Sequence, residues 1–184
     1  MERPQRKRLR LESYDYSQPG YYFITICTKE RHQNILCSLD LVGAAVPGGP
    51  PVPLPRPDGS QDAIPSPCRP WVALTPVGEI VERLILRIDA AYRGVVSVDT
   101  YCIMPDHIHL ILVIRPQMDG PPGAAAPTGI PAVVNALKGL ASKQIGHSIW
   151  QRGYYDHVIR NDTDLAETRQ YIVNNPLNWT LNKD

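Results

Sequence analysis

Proline placement constrains this chain more than any other feature. Nine of its 19 prolines fall in residues 43–70, together with four glycines, and five more fall in residues 116–131 with three glycines. Proline lacks a backbone N–H and fixes φ, so neither block can continue a helix or a central strand. Both blocks read as insertions or solvated loops, partly polyproline-like, inside a single domain spanning 1–184. About 140 residues remain outside them, an ordinary size for one domain.

Those residues divide by hydrophobic period. Residues 20–28 (Gly-Tyr-Tyr-Phe-Ile-Thr-Ile-Cys-Thr) are aromatic and β-branched, which predicts a strand. Thr75-Pro76 supplies a helix start, and Val77, Ile80, Val81, Leu84, Ile88 and Ala91 keep helical spacing to about Tyr92 before Gly94. Residues 95–103 and 107–115 are two strands joined by Met104-Pro105-Asp106, short enough to demand a hairpin. A helix over 132–145, a strand over 154–160 and a helix over about 164–175 complete the series. The expected cap of the last helix is Asp162-Thr163-Asp164, and its expected end is near Pro176. The order β-α-β-β-α-β with a terminal helix predicts the α+β class and a ferredoxin-like antiparallel sheet.

Composition excludes several roles. With 43% hydrophobic residues the chain can build a core. A net charge of +1 excludes a uniformly cationic nucleic-acid coat and leaves room for local patches. No apolar run reaches the ~18 residues of a membrane helix. Met1–Arg10 carries five basic residues with no apolar stretch behind them, unlike a secretory signal. Cys27, Cys37, Cys68 and Cys102 show no CxxC spacing, so reduced thiols in a cytoplasmic protein are expected.

The strand His107-Ile108-His109-Leu110-Ile111-Leu112-Val113-Ile114 carries the first chemical signal. Alternation puts His107 and His109 on one face and Ile108, Leu110, Leu112 and Ile114 on the other. Nearly all other side chains here are apolar, so both faces should be covered, and covered imidazoles need partners. A divalent metal is one candidate; ordinary hydrogen bonds are the other. On the last helix, Asp164, Thr168, Tyr171 and Asn175 form a polar stripe, with Tyr171 and Asn175 one turn apart. Tyr171 by itself reads equally as an amphipathic packing residue.

Several blocks resemble a known family. They are Tyr14-Asp15-Tyr16-Ser17 with Gly20–Thr28, then Met104-Pro105-Asp106-His107-Ile108-His109, then Trp150–Arg160, and finally Tyr171-Ile172-Val173-Asn174-Asn175-Pro176. Together they resemble the HUH single-tyrosine transposases of IS200 type, most nearly the REP-associated tyrosine transposases. The resemblance covers nearly the whole chain outside the two Pro/Gly blocks. It implies a ferredoxin-like palm whose C-terminal helix carries a catalytic tyrosine, Tyr171. It implies Mg²⁺ or Mn²⁺ held by His107, His109 and Asn175, with Asn174 or water as the other option for the third ligand. The implied reaction is cleavage and joining of single-stranded or hairpin DNA through a 5′-phosphotyrosine. Such chemistry suits these residue types: a phosphodiester repels nucleophiles until its charge is offset, and a phenol with an ordinary pKa near ~10 needs activation.

A DNA enzyme with so little net charge must concentrate its cations. Arg3, Arg6, Lys7, Arg8 and Arg10 form a basic arm, and Lys138, Lys143, Arg152 and Arg160 add further positives. Trp150, Tyr154 and Tyr155 are candidates for stacking on unpaired bases. The chain is expected to be cytoplasmic and nucleoid-associated, a monomer or homodimer, with no membrane partner. The alternative is a DNA- or RNA-hairpin-binding module whose catalytic set is vestigial.

Overall fold

The computed structural model describes residues 14–31, 33–39, 72–116 and 129–181. The basic arm with Arg6, Lys7, Arg8 and Arg10, the whole 43–70 block and most of the 116–131 block lie outside these residues. In chain order the elements are β1 (Gly20–Cys27), β2 (Cys37–Leu39), β3 (Val72–Leu74), α1 (Pro76–Leu86), α2 (Ile88–Ala91), β4 (Val96–Ile103), β5 (His107–Ile114), α3 (Ile130–Ile145), β6 (Tyr155–Ile159) and α4 (Asp162–Leu181).

The expected α+β class and antiparallel sheet are present. Four strands lie in the order β4-β5-β1-β6, every neighbouring pair antiparallel. Thus β1 and β4 run parallel with β5 between them, and β5 and β6 run parallel with β1 between them, the split βαβ arrangement. The β4–β5 hairpin closes through the Met104 N–H, which donates to the His107 carbonyl at 2.8 Å.

Alternation divides the molecule into two cores. Tyr22, Ile24 and Ile26 of β1 and Ile108, Leu110 and Leu112 of β5 pack under α1 and α3. Phe23, Cys102, Ile111 and Ile159 pack with Leu165 and Ile172 of α4 on the opposite face. Both faces of β5 are covered, as its composition requires.

Five boundaries or elements differ from the sequence reading. The first helix breaks at Arg87, whose N–H turns back to the Leu84 carbonyl, and α2 restarts with Ile88 buried. Helix α3 starts at Ile130 rather than 132, taking Ile130 and Pro131 from the second proline block. Proline is tolerated in a first turn, where its N–H would have no helical acceptor. The start of α4 is capped by Asn161, whose Oδ1 accepts from the Asp164 N–H at 2.8 Å; Asp164 instead accepts from the Arg160 N–H and from His157. Helix α4 also passes through Pro176 to Leu181, because the turns beyond it still have a surface to pack on: Trp179 lies against the α4-side core. The β2–β3 ribbon was not anticipated, since three-residue strands are too short to show a period.

Candidate active site

The site grows from the start of β5. His107 and His109 lie two residues apart on the α4 face, and their rings meet edge to face with centroids 4.5 Å apart. Their Nε2 atoms are 3.0 Å from each other. Each outer nitrogen already has a partner: His107 Nδ1 lies 2.6 Å from Asp106 Oδ1, and His109 Nδ1 lies 2.9 Å from Thr25 Oγ1. Such outer contacts fix ring orientation, and the Asp106 carboxylate, an acceptor, sets the His107 tautomer. With both Nδ1 atoms protonated toward those oxygens, two Nε2 lone pairs converge on one point. Only a proton or a cation between them relieves that arrangement.

Helix α4 delivers two more groups. The Asn175 amide is buried, with its nitrogen 3.3 Å from His109 Nε2. Asn174 is exposed, and its Oδ1 accepts from Gln170 at 2.9 Å, so of the two candidate asparagines only Asn175 reaches the pair. The Tyr171 ring stands 5.3 Å from the His109 ring and 5.9 Å from the Phe23 ring, and is 48% exposed. Phe23 in turn stacks on His109 at 5.3 Å. Nucleophile candidate, amide and imidazoles thus come together within one chain.

Burial, followed by the neighbouring charge of His107, pushes the His109 pKa down to about 3. The ring is therefore neutral at any ordinary pH and keeps one nitrogen unprotonated. Among the described residues no group of three or more His, Cys, Asp or Glu is arranged to hold a metal. The donor set is instead two imidazoles and an amide. Two imidazole nitrogens and the Asn175 amide oxygen, presented after a half-turn of its end group, are donors that a divalent ion accepts; the oxygen donor is the one that suits Mg²⁺ or Mn²⁺.

One ion pair fixes α4 on the sheet. Arg169 meets Asp99 through two nitrogens, Nε and Nη2, and Asp99 occupies the bulge of β4 between Val98 and Thr100. A bulge re-aims a side chain that regular alternation would direct elsewhere. Trp179, beyond Pro176, sets its ring 5.4 Å from that of His107.

The remaining candidates separate. Lys138 donates to the carbonyls of Gln151 and Gly153 at 2.8 and 2.9 Å, and burial lowers its pKa. Lys143, Arg152 and Arg160 are exposed. Trp150 and Tyr154 are core residues, 3% and 6% exposed, and offer no face for base stacking; Tyr155 is exposed. Sequence reasoning missed Asp106, Thr25, Phe23 and Trp179 as neighbours of the histidine pair. The position of Asp106 next to His107 was a usable signal. Thr25 and Phe23 reach the site only through the β1–β5 register, in which Thr25 opposes His109.

The family model described as "Transposase IS200 like" matches residues 75–175, more than half of the chain. The chain belongs to the IS200-like transposase family. An uncharacterized protein of Haemophilus influenzae is 27% identical to this transposase over 191 aligned residues, covering 95% of this chain and 89% of that one. A second Haemophilus influenzae protein, named for the REP-associated tyrosine transposases, is 33% identical over 82 residues, covering 41% of this chain and 47% of that one. Among solved structures, that of a REP-associated tyrosine transposase bound to a REP hairpin superimposes with a TM-score of 0.57 at 15% identity, over 92% of this chain and 74% of the other. This likeness shows the shared fold. Among the described residues of this transposase no helix is long and apolar enough to cross a membrane.

Proposed function

We propose that this transposase cuts and rejoins single-stranded DNA at hairpin or palindromic-repeat ends, with Tyr171 as nucleophile. The observation that carries this reading is the position of the Tyr171 ring, 5.3 Å from His109, beside two imidazole nitrogens that meet at 3.0 Å. The Tyr171 oxygen attacks phosphorus and gives up its proton; the P–O3′ bond breaks, leaving a 5′-phosphotyrosine and a free 3′-OH. A later 3′-OH reverses the exchange on the same or another end, so no external energy source is required.

The chain's own groups divide the work. His107, His109 and Asn175 would hold Mg²⁺ or Mn²⁺, which when bound offsets charge on the phosphate's non-bridging oxygens. Asp106 and Thr25 orient the two imidazoles. Phe23 packs edge-on to the Tyr171 ring, which stays half exposed. The hairpin substrate is supported by the REP hairpin in the similarly folded transposase.

The test is a covalent adduct. The protein, a labelled hairpin oligonucleotide with single-stranded arms and Mg²⁺ or Mn²⁺ should yield a species that migrates with the protein on a denaturing gel. Tyr171→Phe should abolish it while leaving binding nearly intact. Binding without any adduct, over a broad panel of hairpin sequences, would replace this reading with that of a hairpin-binding module.

A further inference from the structure

A second feature opens at the histidine end of the sheet. An open depression of about 400 Å³ is lined by Lys29, Lys138, Arg152, Ser142 and Trp150, among others. Three cations converge there, with no carboxylate in the lining among the described residues. Two of them are held in place by carbonyl oxygens: Lys29 donates to Ser148 at 3.0 Å, and Lys138 to Gln151 and Gly153. Neutral carbonyls position an ammonium without cancelling its charge. Lys138 shows the consequence, since burial lowers its pKa with no acidic partner to raise it again. In a chain of net charge +1, three cations with no ion pair among the described residues form a concentrated field around one hollow.

Backbone hydrogen bonds tie this hollow to the active site. The Lys29 N–H donates to the Ile149 carbonyl at 2.7 Å, and the Gln151 N–H to the Cys27 carbonyl at 2.9 Å. Cys27 is the cross-strand partner of His107. Lys29 therefore stands two residues, about 7 Å of extended chain, beyond the register position of the metal-ligand candidate. The hollow lies on the α3 side of the sheet and Tyr171 on the α4 side, so an anionic group seated there belongs to DNA that passes around the end of β1 from one face to the other.

We propose that the Lys29–Lys138–Arg152 depression seats a backbone phosphate of the single-stranded arm of the same DNA whose scissile phosphodiester occupies the site of Tyr171. This deepens the function proposed above and rests on it. The contact is to the phosphate, so it is indifferent to base sequence and sensitive to salt.

The experiment uses the full chain carrying Tyr171→Phe, so that only binding is read. Fluorescence anisotropy with a labelled hairpin oligonucleotide bearing a single-stranded arm gives the slope of log affinity against log salt between about 50 and 200 mM. Adding Lys29→Gln with Arg152→Gln should reduce that slope by about 0.7, the value of one neutralised phosphate on a single strand. Arg83→Gln, an exposed cation on α1, should leave it unchanged. A double-variant slope equal to the parent's, or a fall matched by Arg83→Gln, overturns the proposal, as does a parent that binds no DNA. Adduct formation by the chain with Tyr171 intact is scored separately. An adduct with an unmoved slope sinks the subsite alone. A reduced slope with no adduct sinks the catalytic reading and leaves the subsite.

Discussion

Tyr171 and His109 face each other within one chain, their ring centroids 5.3 Å apart, although 62 residues separate them in sequence. The register of β5 and the docking of α4 bring them together. This fixes an expectation about cooperation between copies. If Tyr171→Phe is mixed with a His107→Ala/His109→Ala variant, a nucleophile acting within its own chain gives no adduct. Recovery of adduct to about a quarter or more of the wild-type yield would show that the tyrosine acts on a neighbouring copy's histidines.

The two neighbouring asparagines should behave differently. Asn175 is buried beside His109, and Asn174 lies on the exposed face with Gln170. Asn175→Ala is expected to raise the Mn²⁺ concentration needed for half-maximal adduct formation by about 10- to 100-fold, the usual range for losing a group that supports a metal site. Asn174→Ala should leave it unchanged. Equal effects of the two would remove Asn175 from the ligand set.

Stability should fall in mild acid. The His109 pKa lies near 3 in the fold and at 6.5 when unfolded. Between those values the unfolded chain takes up a proton that the folded chain refuses. The destabilisation is therefore absent above pH 6.5 and grows as pH drops toward 3, at up to about 1.4 kcal/mol per unit. Urea midpoints measured without metal at pH 7.5, 6 and 5 should decline across the series. The same series with His109→Gln should decline less steeply; parallel declines would contradict the assignment to His109.

Gly78 offers a case where local propensity and packing disagree in sign. Alanine is the better helix former by about 1 kcal/mol, so sequence alone predicts that Gly78→Ala stabilises α1. A Cβ at this position would lie 2.0 Å from the Leu36 carbonyl oxygen, which accepts the Thr75 N–H. The substitution should therefore destabilise by about 1–3 kcal/mol through overpacking. A thermal melt decides it: a raised Tm would mean that Leu36 and α1 do not pack as described.

The α4 clamp gives a fifth prediction. Arg169 holds Asp99 through two nitrogens, and the pair links the helix of Tyr171 to the edge strand. Asp99→Asn keeps the shape and removes the charge. It should lower the rate of adduct formation at least 10-fold at saturating DNA, because small misplacements of reacting groups are costly, while DNA affinity changes little. Arg169→Lys should not rescue it, since an ammonium cannot span two carboxylate oxygens as a guanidinium does. An unchanged rate would make the pair a surface ornament.

The sequence by itself determined the four strands of the main sheet, the helix start at Thr75 and the shared face of His107 and His109. All of these follow from periods of two and 3.6 and from local capping, written over a few adjacent residues. The Met104-Pro105-Asp106 link was equally local, and so was the α+β order. Tertiary structure alone decided that Asn175 rather than Asn174 reaches the imidazoles, that Thr25 orients His109, and that Trp150 and Tyr154 are spent in the core. Those outcomes depend on strand register, on the rotation of α4 about its axis and on which surfaces meet. Each joins residues far apart in the chain, and no local pattern encodes such a distance. The passage of α4 through Pro176 is the clearest instance: the local rule called for a stop, and the surface beneath Trp179 supplied the packing that carried the helix past it.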